Sequence, residues 1–169
     1  RENGVLGARF YTYLPAHLGA AQAAFSASSA RLGKVLHLHP MQELHGKTIL
    51  LGLSGGIACY KSAELTRLLV KAGASVQVMM SQAACQFISP VTLQALSGQA
   101  VFTDQWDARA DNNMAHINLG RGVDAIVIAP ASADMIAKLA QGRSDEIISL
   151  TCLARPAGTP LLLAPAMNR

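Results

Sequence analysis

The chain has little cysteine: Cys59, Cys85 and Cys152 stand far apart among 169 residues, and no CxxC pair occurs. Three isolated thiols argue against a disulfide framework and against a cysteine-based zinc centre, and they make a reducing compartment, the cytoplasm, the default. Each is expected to pack as a small apolar side chain. Long apolar runs are also missing. Hydrophobic residues make up 51% of the chain, yet no run reaches the roughly 18 residues that a membrane span needs. A concentrated basic patch is absent too. Arg1, Arg9, Arg31 and Lys34 face only Glu2, so three of the four net positive charges lie within the first forty residues. The remainder is close to neutral, which gives no footprint for nucleic acid. No Ser-His-Asp order, HExxH motif or paired-carboxylate site is visible, and no metal site is expected.

What is present is a glycine turn between a strand-like and a helix-like segment, Thr48-Ile-Leu-Leu-Gly-Leu-Ser-Gly-Gly-Ile-Ala58. A strand buried on both faces reads as a continuous apolar run, as Thr48–Leu53 does. Gly55 and Gly56 let backbone N–H groups approach a ligand with no Cβ in the way. A helix over 57–72 then aims its positive end at the same point, where an anion can sit, and Ser54 adds a hydroxyl. The spacing G-x-x-G-G is neither the GxGxxG dinucleotide fingerprint nor the Gly-Lys-Ser/Thr ending of a P-loop. The second strand ends in Ser81, where an NAD-binding unit would carry an acid for the ribose. A mononucleotide or another phosphate ester fits this turn better than NAD.

From Lys47 onward, strand-like and helix-like segments alternate. Strands are expected at 48–53, 75–80, 124–130 and 160–165. Helices are expected at 57–72, closed by Gly73; after Ser81, with Phe87 and Ile88 on the apolar side; from Ser89-Pro90 to Gly98; from Ser132 or Asp134 to Gln141, closed by Gly142; and from Ser144 to Ala154. Residues 103–115 are polar and irregular and read as a long surface loop, with Trp106 as a local packing anchor. The alternation predicts an α/β fold: a doubly wound, Rossmann-like or flavodoxin-like parallel sheet in three αβα layers. Residues 1–40 read as an upstream extension without regular structure, with a natural start at Met41, and residues 41–169 as the folded domain.

In such sheets ligands sit at the carboxyl ends of the strands. This collects Ser54–Gly56, Ser81, Pro130–Asp134 and Pro165–Asn168. Each has an ordinary reading as well. Ser132-Ala133-Asp134 is a ligand edge or simply a helix cap. Asn168 is an amide for a carboxylate or a flavin edge, or a turn asparagine. His116 is a base or proton shuttle, or a surface or capping histidine.

Four stretches then carry a resemblance: Gly52-Leu-Ser-Gly-Gly-Ile-Ala-Cys-Tyr-Lys61, Met114-Ala-His-Ile117, Ile128-Ala-Pro-Ala-Ser-Ala-Asp134 and Ala164-Pro-Ala-Met-Asn168. In this order and at these intervals they resemble the flavin-dependent cysteine decarboxylases, the family that includes the bacterial phosphopantothenoylcysteine decarboxylases. The resemblance spans Gly46 to Arg169. It implies FMN as cofactor and the decarboxylation of 4′-phosphopantothenoylcysteine to 4′-phosphopantetheine in coenzyme A biosynthesis. By the same resemblance, Ser54, Gly55, Gly56 and Ser81 take the phosphate and ribityl side, Ser132, Ala133 and Asp134 line the flavin pocket, and Ala166 approaches the ring. His116 matches the essential histidine, and Asn168 the asparagine that holds the substrate carboxylate. A homo-oligomer built from trimers, with flavin at the subunit contact, is implied too.

Two features depart from the family pattern. His116-Ile-Asn-Leu119 and Gly122-Val-Asp124 stand where His-Ile-Glu-Leu and Trp-Ala-Asp are usual. None of the three cysteines matches the proton donor of the family's substrate clamp, so the sequence reads as a fragment ending before that clamp. A flavin prenyltransferase and a non-catalytic FMN-binding regulatory protein are the alternative functions. The first usually reads Gly-Ala-Ser-Gly-Ala at the turn, and retention of His116 and Asn168 argues against the second.

Overall fold

The computed structural model describes residues 11–12, 43–106 and 115–167, with residues 11, 12, 115 and 116 described through their backbone. In chain order the elements are β1 (Tyr11–Thr12), β2 (Thr48–Leu53), α1 (Cys59–Lys71), β3 (Ser75–Met80), a 3-10 turn (Ala84–Gln86), α2 (Pro90–Ser97), β4 (Val101–Phe102), α3 (Ala115–Gly120), β5 (Ala125–Ala131), α4 (Ala133–Gln141), α5 (Ile147–Ala154) and β6 (Leu161–Pro165). The strands form one sheet in the order β1-β6-β5-β2-β3-β4. Strands β2 to β6 are mutually parallel, and β1 runs antiparallel to β6 through Tyr11–Leu163 and Thr12–Leu162.

The apolar runs form strands because both faces of the sheet are covered. Ile49, Leu51 and Leu53 of β2, with Val76, Val78 and Met80 of β3, pack under α1 and α2 beside Cys59 and Leu93. Leu50, Met79, Ile126 and Ile128 point the other way and meet Met135 of α4 and Ile147, Ile148 and Cys152 of α5. Successive side chains thus fill opposite layers with no polar face between them. The result is the expected three-layer αβα arrangement. Glycine serves close packing at Gly52, where a Cβ would stand 2.7 Å from the Ile128 side chain.

The expected boundaries recur closely at β2, β3, β5, β6, α2 and α4. Helix α5 ends where expected but starts at Ile147 rather than Ser144. Three of the expected boundaries have clear local causes. Ser89 caps α2, its hydroxyl accepting from the Val91 N–H, and Gly98 and Gly142 end α2 and α4 in the left-handed region. Helix α1 starts later than expected because its first bonds, from the N–H groups of Cys59, Tyr60 and Lys61, reach only three residues back. The helix expected after Ser81 shrinks to a 3-10 turn, which leaves Phe87 half exposed while Ile88 packs on the core. Trp106 is no packing anchor: it is 70% exposed. Most of the polar loop, 107–114, lies outside the described residues. Strand β4 and helix α3 were not expected, nor was the pairing of Tyr11 and Thr12 with β6; the rest of the 1–40 expectation lies outside the described residues. No helix among the described residues is long and apolar enough to cross a membrane.

Candidate active site

The strand order reverses between β2 and β5, which places a crevice beyond their carboxyl ends, where open α/β sheets take ligands. A hydrogen-bond chain closes its floor. The Ser54 N–H donates to the Pro130 carbonyl at 3.1 Å. The Ser54 hydroxyl donates to the same carbonyl at 2.7 Å and accepts from the Ser132 N–H at 2.7 Å. One row further out, the Ala166 N–H donates to Ala131 O at 3.0 Å, and on the other side the Ser81 N–H donates to Leu53 O at 3.0 Å. The ends of β2, β3, β5 and β6 are thereby joined at the residues the sequence had singled out. The Ala129-Pro130 peptide is cis.

The Ser54 side chain is buried and its hydroxyl is engaged between Pro130 and Ser132, so it braces the crevice. Gly55 is required by a close approach: a Cβ there would stand 2.5 Å from the Ala83 Cβ and 3.2 Å from its carbonyl carbon. Around Gly56 there is open space, with nothing within 4 Å of such a Cβ. The N–H groups of Gly55, Gly56, Ile57 and Ala58 find no acceptor among the described residues. Four free backbone donors at the start of a 13-residue helix form a cradle suited to a phosphate. Sequence reasoning had the two glycines but missed Ile57 and Ala58, whose contribution lies wholly in their backbone.

Ser81, Ser132 and Ala166 are joined to this cradle or its floor by hydrogen bonds of the strand ends. Ser81 is buried, and its hydroxyl accepts from the Ala84 N–H at 3.1 Å. Ser132 caps α4, its hydroxyl accepting from the Met135 N–H at 3.2 Å, while the N–H groups of Ala133 and Asp134 have no acceptor among the described residues. Asp134 is exposed and pairs with Lys138 at 3.3 Å. Ala166 is half-buried at the end of β6. His116 is the second residue of α3, a helix seated on α5, where a Cβ at Gly120 would meet Thr151 O at 3.5 Å. Asn168 lies outside the described residues.

A charged group runs from Asp134 along α4 to the start of α5. Lys138 also approaches Asp145 at 3.7 Å and Glu146 at 3.8 Å, and Asp145 is held by Arg143 at 2.6 Å. Burial works to lower the Lys138 pKa, but Glu146, Asp134 and Asp145 together outweigh it and hold it above its ordinary value. Burial raises the pKa of the Glu146 carboxyl, with Lys138 opposing. Burial pushes the Cys152 thiol up to about 12, and it raises those of Cys85 and of Cys59, whose thiol donates to the Ser54 carbonyl at 3.2 Å. Such thiols stay protonated and unreactive near neutral pH. Among the described residues no cluster of three or more His, Cys, Asp or Glu could hold a metal.

Comparison with known proteins places this geometry. Residues 37–169 match the Flavoprotein family model. The chain is 50% identical over 129 residues to the coenzyme A biosynthesis bifunctional protein CoaBC of Vibrio cholerae, covering 76% of this chain and 32% of that protein. It is 48% identical over 126 residues to CoaBC of Escherichia coli, covering 75% and 30%. It therefore spans about a third of the length of the curated relatives it matches. Among solved structures, the FMN-dependent cysteine decarboxylase SpaF superposes with a TM-score of 0.68 at 29% identity, over 74% of this chain and 71% of that one. A cysteine-to-serine mutant of a PPC decarboxylase, complexed with pantothenoylaminoethenethiol, gives 0.65 at 29% identity over 72% and 68%. With its strand-end cradle and a family match over most of its length, the chain belongs to the flavoprotein family.

Proposed function

We propose that residues 41–169 form an FMN-dependent decarboxylase domain that converts 4′-phosphopantothenoylcysteine to 4′-phosphopantetheine in coenzyme A biosynthesis. The observation that carries this is the 50% identity over 129 residues to a CoaBC protein. The residues present suit the cofactor. The free N–H groups of Gly55 to Ala58 supply donors for the FMN phosphate, with Ser81 beside them. The unoccupied N–H groups of Ala133 and Asp134, set by the Ser132 cap, offer donors to the flavin. Ala166, tied to Ala131, is the small residue against which a ring can lie. Bound FMN supplies a reversible two-electron oxidation of the substrate, so that the overall reaction leaves no net redox change.

The protein's own part is binding and orientation. His116 acts on the substrate as the family's essential histidine, and the Asn168 amide holds the carboxylate that departs. The working protein is a cytoplasmic homo-oligomer built from trimers, and its substrate is a small molecule. To test this, the FMN-loaded full-length protein is incubated with 4′-phosphopantothenoylcysteine and the product is followed by mass. Loss of carbon dioxide with the wild type, and none with His116→Asn despite retained flavin, is the expected result. Unchanged turnover by H116N would refute the role of that histidine, and a wild type inert towards this substrate would refute the proposal.

A further inference from the structure

Asp134 sits at the second position of α4, two residues past the Ser132 cap, where its own N–H and that of Ala133 have no acceptor among the described residues. Its side chain is 72% exposed, yet it is not free, because Lys138 Nζ stands 3.3 Å away one turn later. An exposed (i, i+4) pair between two mobile side chains contributes little. Lys138 differs from such a partner. Only 17% of its side chain is exposed, and the same ammonium also faces Asp145 at 3.7 Å and Glu146 at 3.8 Å. Arg143 holds Asp145 from the other side at 2.6 Å. Two cations and three carboxylates thus join the first turn of α4 to the residues between Gly142 and the start of α5. A side chain anchored at three points has already lost its rotamer freedom, so Asp134 meets a fixed cation.

The position of this group matters because of what Asp134 borders. FMN carries its negative charge on the phosphate, which the proposed function seats at the start of α1. The start of α4 is tied to that turn by the Ser132 N–H on the Ser54 hydroxyl at 2.7 Å. A carboxylate on the rim of the same crevice repels the cofactor unless a cation offsets it. Lys138 is the one cation that reaches the Asp134 carboxylate among the described residues. We infer that Lys138 is a positioning residue of the cofactor site, holding the Asp134 carboxylate in place and offsetting its charge where the flavin binds. The inference rests on the FMN reading above. It assigns Lys138 a role exerted through Asp134 alone, with no contact to cofactor or substrate.

The test is a double-mutant cycle on FMN affinity in the full-length protein, read by flavin fluorescence titration. K138M weakens FMN binding by about five- to tenfold, and K138R, which keeps the cation, stays within about twofold of the wild type. In a D134N background the K138M substitution changes FMN affinity by less than about twofold, because the charge it offset is gone. A lysine that merely stabilised the helix would give the same loss in both backgrounds, and that result would overturn the inference, as would equal affinity of K138M and wild type. If K138M fails to fold, K138M combined with E146Q removes the partly buried carboxylate left behind and carries the same comparison. A wild-type protein that binds no FMN would overturn the cofactor reading itself, an outcome distinct from FMN bound equally by wild type and K138M.

Discussion

Replacing Ser54 by alanine removes the brace of the strand-end crevice and leaves the cradle's backbone donors chemically intact. The hydroxyl is buried, donates to Pro130 O at 2.7 Å and accepts from the Ser132 N–H at 2.7 Å. Without it the part-buried Ser132 N–H has no acceptor among the described residues, and a donor stranded away from water costs about 1–3 kcal/mol. The Pro130 carbonyl keeps the Ser54 N–H at 3.1 Å and so loses only one of two bonds, about 0.5–1.5 kcal/mol. The sum is about 1.5–4.5 kcal/mol, and its midpoint lowers Tm by about 6–12 °C for a chain of this size. Urea unfolding of the FMN-free protein reads this directly. If the hydroxyl instead served the ligand, S54A would leave the FMN-free protein's stability unchanged and lower only flavin affinity. A loss below about 0.5 kcal/mol, the level of an ordinary surface substitution, would refute the bracing role.

Two further predictions concern neighbouring residues and pH. Gly55→Ala forces a Cβ to within 2.5 Å of Ala83 and lowers stability by about 1–3 kcal/mol. Gly56→Ala, with nothing within 4 Å of its new Cβ, changes stability by less than about 0.5 kcal/mol while weakening FMN binding; paired chemical denaturation and flavin titration separate the two. Asp124 accepts from Lys47 at 2.8 Å and from the Thr48 N–H at 2.8 Å, and these bonds hold its carboxyl below the ordinary value of 3.8. A carboxyl with a lowered folded-state pKa adds stability that is present above 3.8 and is lost as pH falls through the folded value. The urea midpoint of D124N is therefore lower than wild type near neutral pH, and the two converge on acidification; parallel curves would contradict the assignment.

Much of the fold was legible because its signals are local and strong. Thr48–Leu53 is an apolar run and Ser75–Met80 a mostly apolar segment bounded by Gly73 and Ser81, and their ends coincide with the strands found. Ser89-Pro90, Gly98, Ser132 and Gly142 are cap residues whose chemistry fixes a boundary whatever the tertiary context. Strand β4 is two residues long and exists through pairing with β3, a relation no window of sequence displays. Helix α3 was hidden for a similar reason, since Ala115–Gly120 follows a polar stretch and packs on α5, far along the chain. At the site, the cradle was legible through Gly55 and Gly56. The engagement of Ser54 was not, because its partners Pro130 and Ser132 lie 76 and 78 residues away. The Lys138 group was not read from the sequence: its spacing to Asp134 is helical, but Asp145 and Glu146 join only once α4 and the start of α5 come together.

On the proposed function, the crevice beyond β2 and β5 takes FMN on the backbone donors of Gly55 to Ala58. The most direct test is an absorption spectrum of the purified chain, after FMN addition and removal of unbound flavin, with mass identification of the released chromophore. The account predicts a flavin spectrum, a released mass equal to FMN, and a marked loss of bound flavin in Gly56→Ala. A well-folded protein that stays colourless in excess FMN, or one that binds riboflavin as tightly as FMN, would contradict a site built around the phosphate.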